Sequence, residues 1–194
     1  IAINLHYLPQ VITAHFGDGA RFGVRITYSY EERLLGSAGA AKRLEAYFGH
    51  QPFVVLYGDV LTDTLLEPLV AHHAATRAAL TMALYRVPDP WRAGIVELDS
   101  SGRVVRFAEK PAPDQVFSDL AHAGICVVSP EVLSLVPPGE PYDFGHDLIP
   151  RLLAAGLPVY GLVASGYVLD IGDPQRYAQA EQDLRAGRCR SYAG

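Results

Sequence analysis

The feature that most constrains the fold is a continuous apolar run at residues 53–57, which ends in Gly58 and Asp59. A strand with one wet face alternates apolar and polar residues, whereas an unbroken apolar strand is typical of a sheet covered on both faces. Apolar side chains at helical spacing precede the run, at residues 38–48. The pattern predicts a parallel sheet with helices packed against it.

Strands and helices alternate along the first half of the chain, and the second half is more mixed. Strands are predicted at 1–6, 24–30, 53–57, 80–87, 94–98, 104–107, 123–128, 159–164 and 167–171, and helices at 9–16, 38–48, 65–75, 143–154 and 174–185. No linker or repeat divides the chain. We expect one domain over residues 1–194, in three α/β layers with a partly antiparallel extension.

Composition limits the partners. A net charge of −5 without a basic cluster gives a nucleic acid or an anionic membrane little to attract, so neither is expected as a partner. The uncharged run at 152–169 is broken by Pro158 and three glycines, which predicts a helix end and two short strands instead of a membrane span. Cys126 lies in an apolar run, and a buried reduced thiol there fits a cytoplasmic location.

Two aspartates follow predicted strands and are the candidate metal ligands. Asp59 comes after the run at 53–57, and Asp170 stands near the end of the strand at 167–171. Ligands of open α/β sheets bind at the carboxyl ends of strands, and two carboxylates meeting there could hold Mg²⁺ together with water and phosphate oxygens. The alternative is a turn aspartate and a capping aspartate.

Two further segments could bind substrate. Glu109, Lys110 and Pro111 end a strand, where a lysine can neutralise a phosphate and a glutamate can accept hydrogen bonds from sugar hydroxyls. The alternative there is a solvated ion pair. G-S-A-G at residues 36–39 precedes a helix, so its amides could face a nucleotide, although it lacks the P-loop spacing and could be a simple loop-to-helix junction.

Taken in order, these segments resemble the sugar-1-phosphate nucleotidyltransferases, also called nucleoside-diphosphate-sugar pyrophosphorylases, over nearly the whole chain. The motifs that carry the resemblance are E-R-L-L-G-S-A-G (32–39), V-L-Y-G-D (55–59), G-I-V (94–96), F-A-E-K-P (107–111), A-G-I (123–125), D-F with D-L-I-P (143–150) and L-D-I-G (169–172). The resemblance implies a Rossmann-like α/β nucleotidyltransferase fold in three layers, with a mixed, mostly parallel central sheet.

The resemblance also implies an activity: transfer of a nucleoside monophosphate from a nucleoside triphosphate to a sugar-1-phosphate, which releases pyrophosphate. The implied roles are metal binding and catalysis by Asp59 and Asp170, catalysis by Lys110 through the sugar phosphate, nucleotide binding by Gly36, Ser37, Gly39 and Gly58, and sugar binding by Gly94, Glu109, His122 and Ala123. The implied cofactor is Mg²⁺.

The chain departs from the family pattern in several places. The family's first strand and its triphosphate-gripping loop G-G-x-G-T-R-L-x-P-L-T are missing, and the chain opens on Ile1 within a predicted strand, so we expect it to begin inside its gene product. His122 stands in place of a common asparagine, Cys126 of tyrosine, Val168 of tryptophan and Asp173 of threonine. We expect a preceding segment or a neighbouring chain to supply the first strand.

Two other functions stay open. A nucleotide-sugar-dependent glycosyltransferase would carry D-x-D at the strand end, and here Asp59 and Asp63 are four residues apart. A non-catalytic relative would bind nucleotide or sugar without turnover. The region 143–173 resembles mannose-1-phosphate guanylyltransferases, while the base, the sugar and any homo-oligomer are not fixed by the sequence.

Overall fold

The computed structural model describes residues 1–190, and their contacts fall into two compact units. The first unit comprises Ile1–Gln51 and Pro130–Leu148, and the second comprises Pro52–Ser129 with the described chain from Ile149 onward. Each unit has its own sheet and its own packed helices.

The strands are β1 (Ala2–Leu5), β2 (Thr27–Tyr30), β3 (Phe53–Leu56), β4 (Val60–Thr62), β5 (Leu80–Arg86), β6 (Gly94–Leu98), β7 (Val104–Glu109), β8 (Leu120–Val128), β9 (Val159–Val163) and β10 (Val168–Asp170). The helices are α1 (Pro9–Phe16), α2 (Gly36–Arg43), α3 (Glu45–Phe48), α4 (Glu67–Thr76), α5 (Ile149–Ala154) and α6 (Pro174–Arg185). A π-helical turn, Phe144–Leu148, precedes α5. The strand–helix order confirms an α/β fold.

The first unit is built around the parallel pair β1 and β2, in which Ala2 lies opposite Thr27. Glu31 follows β2 and is buried, where its carboxylate accepts hydrogen bonds from the Asn4 side chain at 3.1 Å and from the Leu35 amide at 3.0 Å. A buried carboxylate is tolerated only when such partners satisfy it. Glu31 therefore fixes the chain where it leaves β2 and approaches α2.

The second unit is built around a six-stranded sheet in the order β7-β6-β8-β5-β9, with β3 also paired to β8. The long strand β8 pairs with three neighbours, and its buried residues Ala123, Ile125 and Val127 pack with Leu69 of α4 and Ala83 of β5. A separate antiparallel pair, β4 and β10, lies in the same unit. These two sheets position the residues of interest in this unit.

The central sheet is mixed, as predicted, but the expectation that it is mostly parallel was wrong. Within the six-stranded sheet only β5 and β9 run parallel, whereas β3, β5 and β6 all pair antiparallel with β8, and β6 pairs antiparallel with β7. The reason is the connection between strands: the short turn at residues 99–103 allows only an antiparallel pair, and β8 runs opposite to each of its neighbours.

The apolar run at residues 53–57 also differs from its prediction as a strand covered on both faces. Among the described strands β3 pairs with β8 alone, and its side chains alternate between half-buried and exposed, with Val54 38% and Leu56 52% exposed. One face of β3 is therefore open in the described chain. The apolar run correctly predicted a strand, but the prediction that both faces of this strand are buried was wrong.

Two minor predictions are confirmed. Cys126 is buried, and burial raises the pKa of its thiol to about 12, so the thiol stays protonated and unreactive. The run at 152–169 divides into the end of α5, the strand β9 and the start of β10. No helix within residues 1–190 combines the length and apolar character that crossing a bilayer requires; the longest, α6, has 12 residues.

Candidate active site

Asp59 and Asp170 lie side by side in the second unit. Val60 opens β4 and pairs with Asp170 at the end of β10, while the Ile171 amide donates to the Asp59 carbonyl at 2.7 Å. A Cβ atom placed on Gly172 would lie 3.1 Å from Asp170 Oδ1 and 3.4 Å from Asp59 Oδ2, so both carboxylates face the same point. We call Asp59, Asp170 and Gly172 the acidic edge.

The two carboxylates of the acidic edge have different surroundings. Asp59 is exposed, and within residues 1–190 no hydrogen bond or ion pair engages its side chain. Asp170 Oδ1 accepts the Gly172 amide at 2.8 Å, and Asp170 Oδ2 lies 3.3 Å from a guanidinium nitrogen of Arg176. Asp170 is thus held in place, whereas Asp59 retains its full capacity to accept a ligand.

The acidic edge fits a magnesium ion by the chemistry of its donors. Mg²⁺ is usually held by one or two carboxylates and completes its shell with water and substrate phosphate oxygens. Among residues 1–190 no group of three or more His, Cys, Asp or Glu side chains forms an all-protein metal cage. Asp59 is exposed and Asp170 is half-buried, and their carboxylates are donors of the kind that Mg²⁺ takes together with water and phosphate oxygens.

Asp63, the second acidic residue after β3, has a structural role. Its carboxylate accepts the Tyr167 amide at 2.7 Å and the Arg190 amide at 2.9 Å. These amides, Arg190 first and Tyr167 second, hold the pKa of Asp63 below its ordinary value. Because its oxygens fix the loops around β4 and β10, Asp63 does not complete a D-x-D metal motif.

Lys110 directly follows β7 and has a strained backbone conformation. Its φ is 45°, in the left-handed region, and it precedes Pro111, which disfavours helical backbone at that position. Such a residue costs about 1 to 3 kcal/mol and persists only where its surroundings enforce it. The Lys110 amide donates to the Ala93 carbonyl at 3.0 Å, and this bond holds the turn.

The Lys110 amine is exposed, and no contact described within residues 1–190 joins it to Asp59 or Asp170. The structure therefore brings together the two aspartates at the β4–β10 pair, whereas Lys110 follows β7 of the six-stranded sheet. The amine is free of protein partners in the described chain, as a phosphate ligand would require.

Gly94, Glu109 and His122 lie in one row across β6, β7 and β8. Gly94 pairs with Glu109, and a Cβ on Gly94 would lie 2.5 Å from the Glu109 carboxylate and 2.9 Å from the Phe107 ring, so these side chains lie directly against Gly94. Ile95 pairs with Ala121, and in an antiparallel register Gly94 then faces His122. Three of the four predicted sugar-binding residues are thus neighbours.

The row continues toward the acidic edge through Tyr57. The Tyr57 and His122 rings meet edge to face with centroids 5.8 Å apart, and the Tyr57 amide donates to the Gly124 carbonyl at 2.9 Å. Gly124 has φ of 70°, and a Cβ there would lie 2.8 Å from Val60. Glycine at this position lets β8 approach the turn that carries Asp59.

Ala123, the fourth predicted sugar-binding residue, has its side chain in the core. It is buried among Leu69, Ala83, Ile125 and Val127. A buried methyl group cannot contact a sugar, so any contribution of Ala123 is made by its backbone. Gly58 differs, because it is exposed and a Cβ there would meet open space, which leaves its backbone accessible.

Gly36, Ser37 and Gly39 lie in the first unit, at the start of α2, in a segment we call the glycine loop (residues 36–39). Gly36 has φ of 69°, and a Cβ on it would lie 2.6 Å from the Tyr142 carbonyl oxygen. That same oxygen accepts the amides of Ala38 at 3.0 Å and Gly39 at 2.9 Å. These two amides, predicted to face a nucleotide, are already engaged within the protein.

Ser37 and Asp143 lock the glycine loop to the π-helical turn. The Ser37 hydroxyl donates to Asp143 at 2.5 Å and accepts the Phe144 amide at 2.9 Å, while Asp143 also accepts the amides of Gly145 and His146. Burial alone would raise the pKa of Asp143, but these hydrogen bonds outweigh it and lower the pKa below its ordinary value. Asp143 thus caps the following helical turn.

Sequence reasoning missed two residues beside Asp170. Arg176 reaches it from the first turn of α6, and Tyr85 of β5 lies close enough to be affected by its charge. Burial, and next the negative charge of Asp170, raise the pKa of Tyr85, while Arg176 lowers it. The D-P start of α6 places Arg176 one turn from the cap, but spacing does not show that a side chain there reaches back to position 170.

The sequence matches a known protein family and several of its members. The model of the nucleotidyl transferase family matches residues 1–187. The chain is 37% identical over 193 residues to UTP–glucose-1-phosphate uridylyltransferase of Synechocystis sp., covering 93% of this chain and 50% of the relative. It is 34% identical over 191 residues to mannose-1-phosphate guanylyltransferase of Mycobacterium tuberculosis, covering 96% and 52%. The chain thus spans about half the length of these relatives.

Solved structures show the same fold. A Bacillus anthracis protein described as a glucose-1-phosphate thymidylyltransferase superposes with a TM-score of 0.86 at 22% identity, covering 100% of this chain and 78% of its own. UDP-glucose pyrophosphorylase in complex with UDP-glucose superposes with a TM-score of 0.79 at 20% identity, covering 96% and 81%. With the match to the family model over nearly its whole length, the chain belongs to the nucleotidyl transferase family.

Proposed function

We propose that the protein transfers a nucleoside monophosphate from a nucleoside triphosphate to a sugar-1-phosphate, which yields a nucleoside-diphosphate sugar and pyrophosphate. The observation that carries the proposal is the convergence of Asp59 Oδ2 and Asp170 Oδ1 on one point beside Gly172. In this reaction a phosphate oxygen of the sugar-1-phosphate attacks the α-phosphorus in line. The bond from the α-phosphorus to the bridging oxygen breaks, and pyrophosphate leaves.

The acidic edge would hold the required divalent cation. Asp59 and Asp170 offer the hard oxygen donors that Mg²⁺ prefers. When bound, a cation of this kind neutralises charge that builds on phosphate oxygens during the displacement. The protein's part is to fix the two carboxylates, and the Gly172 amide and Arg176 do so for Asp170.

Lys110 and the row from Glu109 to His122 would bind the sugar phosphate. The exposed Lys110 amine, without a protein partner in the described chain, can neutralise the phosphate as a point charge. The Glu109 carboxylate lies against Gly94, at the edge where a sugar hydroxyl could donate to it. Holding the phosphate oxygen in line with the α-phosphorus accounts for most of the catalysis expected from these residues.

The glycine loop would contribute to the base pocket by its shape. Its amides at Ala38 and Gly39 are engaged by Tyr142, so base recognition there would depend on the small surface that glycine leaves open and on groups other than these amides. Gly58, with open space around it, would let a nucleotide approach the backbone next to Asp59.

The two competing functions make different predictions. A glycosyltransferase would need a metal motif at the end of β3, and the engagement of Asp63 by two backbone amides disfavours it. A non-catalytic relative would keep the fold and bind ligand without turnover. Turnover therefore separates the proposal from its remaining rival.

The test is an assay of the full-length protein for pyrophosphate release. UTP, GTP and dTTP would each be paired with glucose-1-phosphate and mannose-1-phosphate, a panel taken from the names of the relatives, with and without Mg²⁺. Mg²⁺-dependent release from at least one pair, with a matching nucleoside-diphosphate sugar, is the expected result. Binding of a nucleotide without release from any pair would instead support the non-catalytic alternative.

A further inference from the structure

Arg176 is a cation that contacts the acidic edge through Asp170. One guanidinium nitrogen lies 3.3 Å from Asp170 Oδ2, and Nε lies 3.5 Å from Asp173 Oδ2. Asp173 caps α6 and accepts the Arg176 amide at 2.9 Å, so the backbone that carries Arg176 is fixed by the same residue that its side chain contacts. The guanidinium is thus clamped between two carboxylates at the start of a helix.

The carboxylates around Arg176 carry an excess of negative charge. Asp59, Asp170 and Asp173 contribute three carboxylates, and Arg176 is the cation within ion-pair distance of them in the described chain. The other described contacts of Asp170 are neutral: the Gly172 amide and the neighbouring Tyr85 phenol. Carboxylates held this close repel one another unless a positive charge sits beside them.

We propose that Arg176 is the resident counter-cation of Asp170, which keeps the acidic edge folded when no divalent ion is present and competes electrostatically with that ion when it binds. The inference rests on the proposed metal site. The contact uses Asp170 Oδ2 and leaves Oδ1 beside Gly172, where Asp59 Oδ2 also lies, so Arg176 holds the carboxylate in the orientation that a shared ion would need. Arg176 is therefore a positioning residue whose charge also limits metal affinity.

The competition follows from elementary electrostatics. A divalent ion bound to Asp170 Oδ1 would stand within a few ångströms of a guanidinium that cannot lose its proton, and like charges at that range repel even in a partly solvated site. The repulsion weakens metal binding relative to a site with a neutral residue at position 176. The substrate phosphates bring further negative charge with the nucleotide, so we expect the ion to bind more tightly when the nucleotide is present.

The test is Mn²⁺ binding to the full-length protein without substrates, followed by electron paramagnetic resonance of the free ion. Arg176→Gln removes the charge and keeps a similar length, and it should tighten Mn²⁺ binding by about threefold to tenfold. Arg176→Lys keeps the charge and should leave the affinity within about twofold of the wild type. Arg185→Gln is the matched control on the same helix, because Arg185 pairs with Glu181 and is exposed.

A second readout is thermal unfolding, which does not depend on activity. In EDTA, Arg176→Gln should unfold at a lower temperature than both the wild type and Arg185→Gln, because the carboxylates lose their counter-charge. On adding Mn²⁺ it should gain more in unfolding temperature than the wild type, since tighter binding to the folded state gives the larger shift. An unchanged or smaller gain would overturn the proposal.

The outcomes separate this inference from the proposed function. If wild-type Mn²⁺ binding does not depend on Asp59, the metal site itself is wrong. If wild-type binding depends on Asp59 but Arg176→Gln binds Mn²⁺ with the same or lower affinity, the metal site stands and the role of Arg176 is wrong. A lysine variant that behaves like the glutamine variant would also overturn it, because charge would then not be the cause.

Discussion

The acidic edge and the glycine loop were both predicted to bind substrate, and the structure treats their polar groups differently. In the glycine loop the Ser37 hydroxyl and the amides of Ala38 and Gly39 are all engaged within the first unit. In the acidic edge the Asp59 carboxylate has no side-chain partner in the described chain, although it faces a second carboxylate. Polar groups that build the fold are satisfied within the protein, whereas the Asp59 carboxylate keeps its capacity to accept a ligand.

The sharpest test of this difference is Asp59→Asn in the full-length protein, compared with Asp63→Asn. Losing the Asp59 charge should lower kcat by about 10²- to 10³-fold, because one of two anionic ligands to the cation is lost, while the folded state changes little. Asp63→Asn should lower stability by weakening the contacts to Tyr167 and Arg190 and keep most activity in the folded enzyme. Steady-state kinetics and thermal unfolding of both variants would measure this, and the reverse pattern would contradict the assignment.

The variant Lys110→Ala tests the proposed contact between Lys110 and the sugar phosphate. Removing a charge that contacts a phosphate should lower kcat/KM for the sugar-1-phosphate by about tenfold to a hundredfold, with Lys110→Arg retaining more. Stability should change little, since the amine is exposed and has no protein partner in the described chain. Kinetics that vary the sugar phosphate would show it; a loss confined to the nucleotide KM would assign Lys110 to the other substrate.

A pair of Gly→Ala variants tests which glycines the fold requires. Gly36→Ala should lower the free energy of unfolding by about 2 to 4 kcal/mol, because its φ of 69° and the nearby Tyr142 carbonyl both oppose a Cβ. Gly58→Ala should have little effect on stability, since the added atom meets open space. Denaturant unfolding of the two variants measures the difference. Equal losses of unfolding free energy in the two variants would mean that neither the positive φ of Gly36 nor the nearby Tyr142 carbonyl determines the cost of adding a Cβ.

The smallest expected effect is a pH dependence from Asp143. Its pKa is lowered in the folded state, so it contributes stability above its ordinary value of 3.8, and that contribution is lost as pH falls from there through the folded pKa. Asp143→Asn should remove about 1 kcal/mol near neutral pH and less at pH 3. Denaturant unfolding of wild type and variant between pH 6 and 3 gives the difference, and a constant difference would contradict this role.

The sequence predicted those elements that carry explicit boundary signals. The helices Pro9–Phe16 and Pro174–Arg185 were placed with their observed bounds, because proline at the first turn and, for α6, the Asp173 cap mark their starts. The strand β4 was missed because three residues do not show a period. The proportion of parallel pairs was wrong because strand direction depends on which neighbours β8 meets, and no local pattern reports that.

The site shows the same division. The proximity of Asp59 and Asp170 could be expected because apolar runs mark the ends of their strands and the ordered motifs surround them. The engagement of Ala38 and Gly39 by Tyr142 joins residues about a hundred positions apart and leaves no trace in either segment. The contact of Arg176 with Asp170 depends on a side-chain direction within one helical turn, which composition and spacing do not determine.

The central claim is that Asp59 and Asp170 share one divalent cation. Crystals of the full-length protein soaked in Mn²⁺ and nucleotide, measured for anomalous scattering of manganese, test it most directly. We expect one anomalous peak bonded to oxygens of both carboxylates beside Gly172. A peak bonded to only one of them, or manganese bound elsewhere while the nucleotide is in place, would contradict it.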